Sequence, residues 1–341
     1  MKWLNSTSIL LILACTQACA ETSLKGTGST LAGPLFFKWI QEYQAGQPSV
    51  KIQYEMKDSF EGVEKAFNHG ADFTAVDTSF TVEEARNAQS RVILHLPVAV
   101  EGVAITYNLP GVSGGLHLTP KVLSDIFIGG IQKWNNTAIR ELNPGLTLPD
   151  MKIRVIHRED ESALHDLFPS FLVKLDPRWT LKREGERNLH WPVGQNVRGN
   201  EQVFEKMRLW PGVIAAVDLP FALQKGLPLA ALQNEAGNFV APSVESLAAA
   251  ASDFQGLPEG FEVNLDASRA SNAYPLAAFS YLLVRQDYFN AFHDHKKGKA
   301  LLDILNWILT EGQKTERDLS YSPLPEAFLP QVREKIKLIN Y

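Results

Sequence analysis

The sequence predicts an α/β protein with mixed sheets arranged in two lobes. Three observations predict it. Short apolar runs alternate with amphipathic stretches of helical period, the pattern of strands and helices in succession. The chain has 341 residues, more than one hydrophobic core usually serves. No Pro/Gly/Ser-rich linker divides it, so two lobes would be joined by continuous strands rather than a flexible tether.

The elements follow in order. The periodicity predicts a helix over about 30–45, a strand at Val50–Tyr54 and a helix near 60–69. Asp72–Val76 reads as a strand, Val82–Ala88 as a short helix, and Val98–Tyr107 as a long β-rich run closed by Asn108-Leu109-Pro110-Gly111. Pro120–Ile126 is helical, with proline in the first turn where its missing N–H costs nothing. Ile153–Ile156 and Val213–Val217 are strands, and Ser162–Val173 is a helix. Leu301, Leu302, Ile304, Leu305, Ile308 and Leu309 form one apolar helix face, ended by Gly312. No repeat of 20–50 residues and no low-complexity tract is present.

The first 20 residues have the form of a secretory signal. Lys2 is the positive start, Ile9–Ala14 the short apolar core, and Ala18-Cys19-Ala20 fits the small-x-small rule, placing cleavage before Glu21. The expected location is therefore periplasmic or secreted. Both cysteines, Cys15 and Cys19, lie inside this segment, so the mature chain would offer no disulfide, thiol nucleophile or thiolate metal site. Leu13-Ala14-Cys15 loosely resembles a lipoprotein processing site, but the residues ahead of it fit poorly, and lipid anchoring is the lesser alternative. No later run approaches the length of a transmembrane helix. Formal net charge is −5, and −6 once Lys2 is removed. That balance argues against nucleic acid, whose phosphate backbone calls for a basic face. A small buried anion remains compatible with it.

Gly26-Thr27-Gly28-Ser29-Thr30-Leu31 is the most informative stretch. Two glycines allow a tight turn and close approach to a ligand. Ser29 and Thr30 are good helix caps, and a helix start with free N–H groups is an anion site. Three other motifs are set aside. The glycine pair is half a dinucleotide fingerprint, but Leu31 replaces the third glycine and no strand of normal length is evident before it. Gly111-Val112-Ser113-Gly114-Gly115 lacks the strand–turn–helix context of a nucleophile elbow. His293-Asp294-His295 runs into Lys296 and Lys297 and reads as an exposed charged loop.

Several motifs in order resemble the PstS-type phosphate-binding proteins that serve bacterial ABC importers. They are Gly26-x-Gly28-x-Thr30 with Pro34 and Lys38-Trp39; Asp72-Phe73-x-Ala75-x-Asp77; and Leu123-x-Asp125-Ile126-x-x-Gly129-x-Ile131-x-x-Trp134 followed by Leu142-Asn143-Pro144-Gly145. Trp191-Pro192-x-Gly194 with Gly199-Asn200, Pro211-Gly212-x-Ile214, and Leu319-x-Tyr321-x-Pro323-Leu324-Pro325 continue the likeness through nearly the whole mature chain. The resemblance implies the two-lobe periplasmic binding protein fold with mixed sheets, a two-segment hinge and a ligand cleft between the lobes. Lobe one would hold residues 21–97 and 278–341, lobe two residues 98–277, with the C-terminal helices beside the N-terminal one.

The resemblance further implies a ligand site at Thr30, Leu31, Ser59, Asp77, Arg158, Ser162, Ala163 and Leu164, with no catalytic residue, no metal and no cofactor. Thr30, Ser59 and Ser162 would donate from hydroxyls at helix starts, and each could equally be a plain N-cap. Arg158 can grip two oxygens with its planar fork. Asp77 would discriminate, because an ionised carboxylate accepts hydrogen bonds and donates none. It welcomes a protonated oxyanion and repels ionised sulfate. The sequence departs from the family pattern at Asp58-Ser59-Phe60-Glu61-Gly62 and at Glu161-Ser162-Ala163-Leu164, where Leu164 lacks a hydroxyl and Glu159, Asp160 and Glu161 add negative charge. Inorganic phosphate or a related oxyanion is thus the expected partner, the permease of an ABC importer a second, and the protein a monomer. A secreted phosphatase on the same scaffold, or a secreted or surface factor with a degraded pocket, are the alternatives. An enzyme would need a nucleophile with a base, or a metal site, and neither forms a coherent constellation.

Overall fold

The computed structural model describes residues 21–57, 68, 70–77, 93–158, 164–180, 189–258 and 263–341. The predicted helices near 60–69 and at Val82–Ala88 lie outside them. The first part of the chain supplies strands β1 (Thr22–Gly28), β2 (Val50–Met56) and β3 (Phe73–Val76), with helix α1 (Gly33–Gly46) between the first two. A 16-residue strand β4 (Ile93–Asn108) follows. Then come β5 (His117–Leu118), α2 (Pro120–Phe127), α3 (Thr137–Leu142), β6 (Arg154–Arg158), α4 (Leu164–Leu175) and β7 (Gln195–Val197). Helix α5 (Gly199–Leu209), β8 (Val213–Asp218), α6 (Leu219–Gln224), β9 (Ala231–Gln233), β10 (Phe239–Val240) and α7 (Val244–Ser252) complete the middle of the chain. It returns through β11 (Ala277–Arg285), α8 (Tyr288–Phe292) and α9 (His295–Trp307), passes a π-helical turn at Ile308–Gly312, and ends near α10 (Leu329–Ile336).

Among the described residues, eight strands form one mixed sheet in the order β2-β1-β3-β11-β4-β8-β6-β7, and three form a small sheet β10-β9-β5. Strands β1, β2 and β3 run parallel to one another, as do β6, β7 and β8. Between these two groups, β4 is antiparallel to both its neighbours. Its first ten residues, Ile93–Gly102, face β11, while Val103–Asn108 face β8. The changeover is pinned: Val103 N–H donates to Leu276 O at 3.0 Å, and the Tyr274 hydroxyl donates to Val103 O at 2.9 Å. β4 is buried almost throughout, which explains why it reads as a continuous apolar run rather than an alternating one.

Helix α1 buries Leu35, Phe36, Trp39, Ile40 and Tyr43. Phe36, Trp39 and Ile40 pack with Phe73, Leu282 of β11 and Leu301, Ile304, Leu305 and Ile308 from the C-terminal helix. The Trp39 indole N–H donates to Gly312 O at 3.0 Å. The chain's two ends therefore share one core, and burying a tryptophan of this kind contributes about 3–5 kcal/mol. In the other half, Trp134 donates to Gly212 O at 3.0 Å and packs beside Tyr107.

Two expectations are corrected. A seven-residue strand, β1, leads into the glycine motif and includes Gly26 and Gly28. It carries little apolar signal because Gly26 and Thr27 are small, and their burial comes from a partner rather than from their own side chains. The Phe73 ring lies over Gly26, where a Cβ would come within 2.2 Å of it. The C-terminal helix also continues beyond Trp307 through its π-turn instead of stopping at Gly312.

Gly28 ends β1 with φ +109°, and a Cβ there would lie 2.0 Å from Ala75 O. Both the conformation and the space demand glycine. Gly28→Ala is expected to lower stability by at least about 2 kcal/mol, measured by the denaturant midpoint at unchanged slope.

Candidate oxyanion site at the strand ends

The parallel strands of both halves point their C-terminal ends toward the β4 changeover. Such a convergence at strand ends is where open α/β sheets bind ligands. From one side come Ser29, just after β1, and Asp77, just after β3. From the other come Arg158, closing β6, and Asp218, closing β8. Glu101 stands between them, on the last stretch of β4 that faces β11.

Ser29 is fully buried and makes several contacts at once. Its N–H donates to Ala75 O at 2.9 Å, which ties it to β3. Its hydroxyl donates to Asp77 Oδ1, and accepts from Ala32 N–H at 2.9 Å at the start of α1. Its carbonyl accepts from the Tyr54 hydroxyl at 3.0 Å. Asp77 is also fully buried, and the hydroxyl donor favours its ionised form. The helix start is secured from the C-terminal segment too, since the Tyr321 hydroxyl donates to Leu31 O at 2.6 Å.

Across the changeover, Arg158 is buried, and its Nη1 donates to Asn200 Oδ1 at 3.0 Å. The same nitrogen lies 3.6 Å from Asp218 Oδ2, to which Asn200 Nδ2 donates. The amide thus bridges cation and carboxylate, and fixes the guanidinium in one orientation. A buried charge held this way loses little further entropy when it meets an anion.

Glu101 is fully buried, and neither carboxyl oxygen receives a hydrogen bond from an N–H or O–H donor among the described residues. Its carboxyl meets that of Asp77. Burial, then the negative charge of Asp77 and Asp218, push it well above the usual carboxylate range. The hydroxyls of Tyr54 and Tyr321 are raised well above their ordinary range as well, by burial first and then by these acids.

The sequence-predicted residues are placed as follows. Asp77 and Arg158 come to the two sides of Glu101. Thr30 and Leu31 lie between Ser29 and α1, Thr30 half-buried and Leu31 with its side chain in the core. Ser59, Ser162 and Ala163 lie outside the described residues, as do Glu159, Asp160 and Glu161. Leu164 is the first residue of α4, six positions after Arg158. Sequence reasoning treated Ser29 only as a cap type, and missed Glu101, Asp218 and the Arg158–Asn200 contact. The signal for Glu101 was a lone charge inside the apolar run Val98–Tyr107.

Two other features lie apart from this cluster. A groove of about 540 Å³ opens beside β6 and β7, and none of the expected site residues among the described ones lines it. Asp294 caps α9 by accepting from the N–H groups of Lys296 and Lys297, each at 3.0 Å. Among the described residues no group of three His, Cys, Asp or Glu side chains could hold a metal ion. No helix among them is long and apolar enough to cross a membrane.

Residues 14–310 match the PBP superfamily domain. The chain is 34% identical over 314 residues to the phosphate-binding protein PstS of Xylella fastidiosa strain 9a5c, covering 92% of this chain and 84% of that one. The chain belongs to the PstS family. The PstS protein of Pasteurella multocida is 32% identical over 335 residues, covering 96% of this chain and 94% of its own. The family fold is seen in PfluDING, a high-affinity periplasmic phosphate-binding protein solved with phosphate bound. It superposes with a TM-score of 0.69 at 18% identity, over 92% of this chain and 93% of that one. An ABC-type phosphate transport receptor from Vibrio cholerae superposes at 0.61, with 16% identity over 89% of this chain and 100% of that one. The two-lobe architecture of the PstS family is therefore the architecture of this protein.

Ser29→Ala removes both the Asp77 donor and the cap on Ala32. Its expected cost is about 1–2 kcal/mol, measured by urea unfolding near neutral pH.

Proposed function

We propose that this protein captures inorganic phosphate outside the cytoplasmic membrane and delivers it to an ABC importer. The observation that carries the reading is the pairing of opposite chemistries at the β4 changeover. A buried carboxylate, Asp77, lies on one side, and a buried, oriented guanidinium, Arg158, on the other. An oxyanion that keeps a proton satisfies both: its P–OH donates to Asp77 while its bare oxygens accept from Arg158. Sulfate at neutral pH has no proton to give, and would set acceptor against acceptor, at a cost of several kcal/mol.

Residues 21–97 and 278–341 form one lobe in this reading, and residues 98–277 the other. They close on the ligand about the crossings at β4 and ahead of β11. Closure is a population shift, driven by contacts that the anion makes with both lobes at once. Thr30 and Leu31 just ahead of α1, Leu164 as the first residue of α4, and Ser59, Ser162 and Ala163 supply further donors in this reading, with helix N-termini as anion seats. The N-terminal Lys2 and Ile9–Ala14 segment supports export. No chemistry on the ligand is required, and the protein works as a monomer.

Isothermal titration with phosphate, arsenate and sulfate tests the proposal. Phosphate and arsenate are expected to bind well below millimolar, and sulfate not to compete. Arg158→Ala is expected to weaken phosphate at least about thirtyfold, the effect of removing one partner of a buried charge contact. Asp77→Asn is expected to lower phosphate affinity and to let sulfate bind, because an amide can donate where the carboxylate cannot. Failure of every oxyanion to bind below millimolar would overturn the phosphate reading.

A further inference from the structure

The Asp77–Arg158 arrangement leaves Glu101 unexplained. A fully buried acid on a strand shared by both halves of the sheet is costly, and nothing in the fold repays it. Its backbone pairs with Ala278 like any other residue of the ladder. Its side chain receives no donor from the protein among the described residues. Hydroxyls that could have served it point elsewhere, Tyr54 to Ser29 O and Tyr321 to Leu31 O.

We propose that Glu101 is a specificity-determining residue of the oxyanion site, its carboxyl acting beside that of Asp77 as a second acceptor for a ligand proton, so that the site prefers dihydrogen phosphate to hydrogen phosphate. This rests on the phosphate reading of the same cleft. Five titratable or charged groups among the described residues bear on Glu101 or are placed with it at the changeover. Asp77 approaches from β3, Asp218 from β8 and Arg158 from β6; Tyr54 sits on β2, and Tyr321 on the segment that bridges to Val100.

Of the two touching carboxyls, Asp77 has the Ser29 hydroxyl as donor, and Glu101 has none among the described residues. The pair therefore divides its roles. The Ser29 donor favours negative charge on Asp77 over Glu101, which places the proton between them on Glu101; burial and the charge of Asp77 push Glu101 the same way. Once its proton is directed to Asp77, the carbonyl oxygen of Glu101 is left as a buried acceptor, and a buried acceptor without a donor costs about 1–3 kcal/mol. A phosphate P–OH supplies the donor. Dihydrogen phosphate has two such groups, one for each carboxyl. Hydrogen phosphate has one, so one carboxyl is left facing a bare phosphate oxygen.

The test is phosphate affinity by titration calorimetry, with intact protein, between about pH 5.5 and pH 9, where phosphate passes from one form to the other. The wild-type dissociation constant is expected to weaken by about tenfold per pH unit once hydrogen phosphate predominates, the slope for binding one extra proton. Glu101→Leu is expected to flatten that slope to less than about threefold per unit, since it removes the second acceptor. Glu101→Gln keeps a carbonyl acceptor without a titrating group; it is expected to bind a few-fold more weakly and to restore the slope. Circular dichroism melts establish that each variant is folded, and the Gln variant decides the question should the Leu variant fail to fold. An affinity that holds constant or improves as hydrogen phosphate accumulates would overturn the inference, as would a Leu variant with the wild-type slope, or a Gln variant with a flattened one. In those cases phosphate still binds and the proposed function stands. Absence of binding at every pH would instead remove the phosphate reading, and this inference with it.

Discussion

The changeover of β4 from β11 to β8 governs the rest of this structure. One extended strand serves both halves of the sheet, so whatever it carries at residues 101–103 faces both. The flanking strands are parallel in two groups, and each group delivers its C-terminal ends to this point. The polar groups that gather there cannot be solvated by bulk water, and must be satisfied by one another or by a ligand. Ser29, Asp77, Glu101, Arg158, Asn200 and Asp218 are mostly buried for this reason. Their hydrogen bonds join elements far apart in the chain.

In the proposed function, the electrostatics of this cluster serve selection rather than stability. A buried ion pair is weak evidence for stability, because desolvation offsets most of the Coulomb gain. Arg158 with Asn200 and Asp218 contributes little to folding but presents a guanidinium of fixed orientation. Asp77 and Glu101, carboxyl against carboxyl, are unfavourable unless they share a proton. In the proposed role, such a pair would read the protonation state of what binds, which is a finer distinction than charge. The supporting shell is built from both ends of the chain. Tyr321 holds Leu31, and Trp39 holds the C-terminal π-turn, so the helix start at Ser29–Ala32 is positioned by residues about 290 places away.

Legibility in the sequence tracked how local the signal was. Long apolar runs and amphipathic helices were readable, as at β4, β8, α2 and the C-terminal helix, because burial on one face or both imposes a period. β1 was not, since apart from Leu24 its buried positions are glycine and threonine, with Phe73 over Gly26, and a strand of small residues shows little hydrophobic pattern. Among the proposed site residues, Asp77 stood in an ordered motif resembling a known family, and Arg158 was carried over from the same resemblance. Ser29 was visible as a cap, but its donation to Asp77 spans 48 residues, and no local rule predicts it. Asn200 stood in a recognised motif without a role, because its role exists only beside Arg158.

By itself, the sequence determined the α/β class, the length that calls for two lobes, the tight turn that Gly26 and Gly28 allow, and the side-chain chemistry of Asp77 and Arg158, an acceptor and a planar donor. These follow from propensity, periodicity and side-chain chemistry, which belong to each residue wherever it lies. Only the tertiary structure decided that β4 is shared between both halves of the sheet. Only it decided that Ser29 orders Asp77, that Asn200 orients Arg158, and that Glu101 is carried to the changeover with no donor of its own among the described residues. Hydrogen bonding and desolvation depend on which groups meet at about 3 Å, and pairings between distant residues are set by strand order and register, which no local stretch of the chain records.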